Sequence, residues 1–139
     1  MKSTILLMTL LAFAVSPLFG QTPAPSPKEI TVSGYVVDQH CAKGMIGKPD
    51  AEKKAAAHAR SCALMEACAA SGYGVFTEGK WVNFDSRGNA IAKVMLTQSK
   101  REKGLSYQIK GVMNGDQLAV TSMGEIALPA TTGPAPKSK

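Results

Sequence analysis

The chain reads as strand, helix, strand, strand, helix, strand, strand. That order predicts a mainly β, α+β domain: a five-stranded OB-like barrel with a helical insertion between strands 1 and 2 and a short helix between strands 3 and 4. Three observations carry this. Runs rich in β-branched and aromatic residues recur along the chain between glycine turns. An alanine-rich stretch of strong helix formers interrupts them after the first run. Five strands in a domain of about 100 residues cannot leave one sheet face bare, so the sheet must curl on itself or take helical cover. A flat antiparallel sheet covered on one side by both helices is the other architecture the order allows.

The 139-residue chain opens with Lys2, an apolar run from Ile5 to Val15, and the breaker and small residues Pro17 and Gly20. This is the pattern of a secretory signal over residues 1–20, with cleavage expected after Gly20. The run is short of the ~20 residues that span a bilayer, and no second apolar run follows. The expectation is a periplasmic or secreted protein with no stable membrane insertion after cleavage. Residues 21–29 form a Pro-rich linker, and residues 129–139 a disordered Pro/Lys tail. That leaves residues 30–128 as one domain, expected to be monomeric.

Ile30 to Asp38 alternates in the manner of a strand, and Gly34 in its middle predicts a bulge or sharp bend. Gln39 to Pro49 reads as a loop. Asp50 is a good N-cap, and Ala51 to Ala70 reads as one continuous helix stopped by Gly72. Tyr73–Thr77 and Lys80–Phe84 flank Glu78-Gly79 as a hairpin. Asp85 to Asn89 reads as a turn, Ala90 to Gln98 as a short helix, and Ser99 to Gly104 as a charged loop. Leu105–Met113 and Asp116–Leu128 flank Asn114-Gly115, the strongest dipeptide signal for a hairpin turn.

The net charge of +6 would raise nucleic acid as a partner for a cytoplasmic protein. The expected export and the scatter of the basic residues argue against it. Asp38, Glu66 and Asp85 stand as isolated carboxylates, so no acid–base pair is evident.

All three cysteines and both histidines lie between His40 and Cys68. On an intact helix at ~100° per residue, Cys62, Met65 and Cys68 fall at about +40°, −20° and −80° relative to His58, on one face. Cys62 and Cys68 would then stand roughly 9 Å apart along the axis, too far for a bridge. Any disulfide would therefore join Cys41 to Cys68 or to Cys62, for about 3 kcal/mol in the chain-entropy account. Export favours such a bridge, and the odd third thiol would remain. The sharper reading is a copper or zinc site built from Cys41, His58 and Cys62, with Cys68, Met65 or His40 as a further ligand. His58 and Cys62, four residues apart, would reach one ion from the same side. No Cys-x-x-Cys or Cys-x-x-Cys-His motif is present for a thioredoxin-like or haem site. A Cys62–His58 nucleophile would lack oxyanion donors on a buried helix face.

The chain resembles a group of small exported bacterial domains of unknown function. The resemblance rests on Gly34 to Cys41 (Gly-Tyr-Val-Val-Asp-x-x-Cys), Cys62 and Cys68, Gly79 to Phe84, Gly88-Asn89, and Gly111 to Val120. The two later cysteines stand further apart here than in that pattern. The resemblance implies an OB-like fold and export, and it brings no established activity. The functional expectation is a non-enzymatic, disulfide-stapled binding or structural module of the cell envelope. It would take a peptide, glycan or envelope partner on a face around Tyr35, Trp81 and Tyr107, unless those rings simply pack. Copper or zinc binding is the alternative, and a thiol redox protein the second alternative.

Overall fold

Strand β1 (Glu29–Asp38) is paired along both edges, and the sheet closes around it. Its first part, Glu29 to Tyr35, runs antiparallel to β4 (Ser106–Asn114). Its last part, Tyr35 to Asp38, runs antiparallel to β2 (Tyr73–Thr77). β2 turns through Glu78 and Gly79, both at positive φ, into β3 (Lys80–Phe84). β4 turns through Gly115, at φ 63°, into β5 (Gln117–Glu125). A short parallel pairing, Asn83 with Gln117 and Phe84 with Leu118, joins β3 to β5 and completes the ring β1-β2-β3-β5-β4. The closed ring leaves no long strand edge unpaired, so the flat covered sheet is excluded. This computed structural model describes residues 27–127. The leader over residues 1–20, most of the Pro-rich linker and the tail over residues 129–139 lie outside the described residues.

The interior of the ring is apolar. Val36, Tyr73, Val75, Phe84, Leu105, Tyr107, Ile109, Leu118 and Val120 are fully or almost fully buried there. Gly34 is where β1 exchanges β4 for β2, and a Cβ there would fall on the carbonyl oxygen of Phe76 and crowd Val75. Its role is thus close strand approach, a more specific reason than a bend. The bulge of the sheet lies instead in β4, between Lys110 and Gly111.

Helix α5 spans Ser86–Gln98 and begins four residues earlier than expected. Asp85 caps it, accepting from the Gly88 N–H at 2.7 Å. Gly88-Asn89 suggested a turn, but Gly88 is helical because α5 comes so close to the sheet. A side chain there would strike Val120 and Phe84. Gly88, Ala92 and Leu96, four residues apart, form the buried stripe.

Residues 39–72, between β1 and β2, depart furthest from expectation. The predicted loop contains a short helix, α1 (Gln39–Ala42). The predicted continuous helix is three pieces: α2 (Ala51–Ala57), α3 (Arg60–Ala63) and α4 (Glu66–Ala70). His58 and Ala59 are extended at the first break, with ψ of 132° and 139°, and Met65 at the second, with ψ of 142°. No proline or glycine marks either break. Helix propensity is worth less than about 1 kcal/mol per residue, and tertiary demands override it here. Both ends of the insertion are fixed at its base, where the Gln39 N–H donates to the Gly72 carbonyl at 2.8 Å. Its far side is tied to the loop before β4: the Arg60 N–H donates to the Glu102 carbonyl and the Gly104 N–H to the Ala56 carbonyl, both at 2.8 Å.

Among the described residues, no helix is long and apolar enough to cross a membrane.

Candidate metal centre

The breaks in the insertion bring the sulfur atoms together. Cys41 lies in α1, Cys62 in α3 and Cys68 in α4, and their Sγ atoms all lie within 4.8 Å of one another. Cys41 Sγ and Cys62 Sγ are 3.8 Å apart, and all three residues are unbridged thiols. Cys62 and Cys68 would stand too far apart to meet only on an intact helix. The extended residue Met65 folds α4 back, so the two converge. Met65 itself, placed on the ligand face by helical angles, is 59% exposed. His40 is also exposed, and its backbone N–H is held by Ser71 Oγ at 3.0 Å.

His58 terminates α2 and is only 8% exposed. Neither of its ring nitrogens has a hydrogen-bond partner. It belongs to a second cluster with Asp38 and Cys41, whose ligand atoms also lie within 4.8 Å of one another. Cys41 is common to both clusters. Cys62 and Cys68 thus meet Cys41 in one group, and His58 meets Cys41 and Asp38 in the other.

Asp38 was missed as part of this group. It is fully buried at the end of β1. Its Oδ1 accepts from the Cys41 N–H at 2.9 Å, which starts α1. Its Oδ2 lies 3.3 Å from His58 Nε2, outside hydrogen-bonding alignment. The usable signal was Asp-x-x-Cys directly after an apolar strand: a capping residue three positions before a thiol.

The electrostatics favour neutral thiols unless a cation arrives. Burial, reinforced by the Asp38 carboxylate and by Cys62, pushes the Cys41 thiol up to about 12. Cys68 is also raised, by burial first and then by Asp38 and Cys62. Burial lowers His58, with Asp38 acting in the opposite direction. The Tyr73 hydroxyl donates to the Ala63 carbonyl at 3.0 Å; burial, then Asp38 and Cys68, raise it to about 12. A group of thiols raised in this way stabilises the fold in its protonated form. In the reduced, metal-free protein that contribution is complete below the unfolded thiol value near 9 and is lost as pH rises from there toward about 12. The urea midpoint of the chelated, reduced protein should therefore fall between pH 9 and pH 11. A midpoint that stays flat or rises over that interval, in the wild type relative to Cys41→Ser, would contradict the placement of Cys41.

Tyr35 and Tyr107 are buried in the two apolar clusters. Trp81 alone of the three aromatics expected on a partner face is partly exposed. It packs on Phe76 with ring centres 4.9 Å apart, and its Nε1 donates to Asn83 Oδ1.

Comparison with family models, curated proteins and solved structures finds no match. The centre has to be interpreted from its own chemistry.

Proposed function

We propose that this protein is a small metal-binding module of the cell envelope, whose ion, zinc or copper(I), is held by Cys41, Cys62 and Cys68 with His58 as the fourth donor. The observation that carries the reading is the gathering of three thiols from α1, α3 and α4 within 4.8 Å of one another, with His58 in a second group that shares Cys41. With Zn–S bonds of about 2.3 Å, two sulfurs of a tetrahedral site stand ~3.8 Å apart. Cys41 and Cys62 have that separation, 3.8 Å. Three thiolates and an imidazole form a closed structural zinc set, while the thiolates alone would suit copper(I). A cation also resolves an awkward feature of the site, a buried imidazole whose ring nitrogens have no hydrogen-bond partner among the described residues.

The raised Cys41 and Cys68 thiols speak against a nucleophilic role for those two residues, since the thiolate is the reactive species. The reading is accordingly non-enzymatic. The ring order, the parallel β3–β5 contact and the helix between β3 and β4 support an OB-like barrel with a helical insertion. Residues 1–20 support export, and the Gly34 to Cys41 motif supports kinship with the small exported domains it resembles.

A second reading has its own observation. The 3.8 Å approach of Cys41 to Cys62 makes that pair, more than Cys41 with Cys68, the natural disulfide of a stapled module. Metal analysis and thiol titration of protein purified anaerobically separate the two. The metal reading expects one equivalent of zinc or copper, and three thiols that react with a disulfide reagent only after chelation. One freely titrating thiol, two hydrogens lost by mass and no metal would overturn it in favour of the staple.

A further inference from the structure

Asp38 touches two of the four donors through different oxygens. Oδ1 holds the Cys41 N–H at 2.9 Å, and Oδ2 faces His58 Nε2 at 3.3 Å. It is fully buried, and Oδ2 has no hydrogen-bond partner. A buried carboxylate oxygen without a partner is costly, and so is a buried imidazole with both nitrogens free. One small rotation of the ring would satisfy Oδ2 and Nε2 together. It would leave His58 Nδ1 with the lone pair and no proton, the state a metal ligand requires.

We infer that Asp38 is the positioning residue of this centre: it anchors the Cys41 loop through Oδ1, and through Oδ2 it accepts a hydrogen bond from the Nε2–H of His58, so that the imidazole presents Nδ1 to the ion. The inference rests on the metal reading above and extends it to a residue outside the ligand set. Asp38 itself is not a ligand. Its Oδ1 is committed to the Cys41 amide, and coordination by Oδ2 would leave His58 Nε2 buried with no acceptor facing it. Carboxylates that orient metal-bound histidines in this way commonly set affinity by about 10–100-fold without touching the ion.

Asp38→Asn tests this in the full chain. Asparagine keeps an oxygen for the Cys41 N–H but turns an N–H₂ toward His58, which then has to accept at Nε2 and carry its proton on Nδ1. Zinc affinity should drop about 10–100-fold, and the cobalt(II)-substituted protein should show altered visible ligand-field bands, with the sulfur-to-metal charge-transfer intensity of three thiolates retained. A structural role alone would lower stability and leave the bands of the bound fraction unchanged. Should Asp38→Asn not fold, the tautomer of His58 in the zinc-loaded wild type decides, by long-range ¹H–¹⁵N correlation. A metal-bound Nδ1 with a protonated Nε2 supports the inference, and a metal-bound Nε2 overturns it. Equal affinity and equal spectra for wild type and Asp38→Asn also overturn it, while the metal reading stands. If the reduced wild type binds none of zinc, cobalt(II) or copper(I), the metal reading itself falls, and this inference with it.

Discussion

Chelating the ion from a metal-loaded sample will destabilise residues 39–72, which stay folded but open far more often, and will leave the closed sheet as it was. The four helical pieces have 4, 7, 4 and 5 residues. Isolated helices below about 12–15 residues are marginal in water, so none of these is stable by itself. The apolar material they bury is mostly alanine: Ala42, Ala51, Ala55 and Ala63. Each contributes little burial beside the leucines and aromatics inside the ring. What the pieces share is a Cys or His side chain in or beside one of the two groups that meet at Cys41. Structural zinc sites of this donor type contribute on the order of 10 kcal/mol of folding free energy. Amide exchange in residues 39–72 should therefore accelerate by about 100-fold or more on chelation, while amides of β1, β4 and β5 keep their protection. The ring has its own apolar core, which supports its independence. Uniform protection before and after chelation would mean that the pieces are held by packing and by their ties to Glu102 and Gly104.

Gly34→Ala will have the largest effect of any single methyl group added to the sheet. The new Cβ would land on the Phe76 carbonyl oxygen and press on Val75 Cγ2. Both belong to the strand that β1 pairs with next, so neither can move without opening the ring. The cost should be about 3 kcal/mol, which lowers the thermal midpoint of a domain this size by more than about 10 °C. Gly124→Ala is the control. Among the described residues nothing lies within 4 Å of a Cβ there, and its effect should stay within about 0.5 kcal/mol. Equal midpoints for the two variants would show that the β1 crossover tolerates a side chain.

The strands were legible because their signals are local. Alternation over residues 30–38, Glu78-Gly79 between two aromatic runs, and Asn114-Gly115 each specify a short piece of structure by themselves. Closure into a ring was one of the two architectures the strand count allowed, the other being a flat sheet under helical cover. The insertion was not legible for the converse reason. Residues 51–70 carry uniformly strong helix formers, and no breaker marks Ala59 or Met65. The breaks turn Cys62 and Cys68 back toward Cys41, a relation visible only in three dimensions. Every residue of the donor set was nameable from its type and clustering. The geometry among them was not, which is why Met65 was expected inside and Asp38 was overlooked. Asp38 read as one of three isolated carboxylates until the fold set it behind His58 and under Cys41.

The most direct measurement is X-ray absorption at the metal edge of the loaded, reduced protein. The account predicts a first shell of three sulfurs at about 2.3 Å and one nitrogen at about 2.0 Å if the ion is zinc. A shell of nitrogen and oxygen alone, or one with fewer than three sulfurs, would contradict a centre built from Cys41, Cys62, Cys68 and His58.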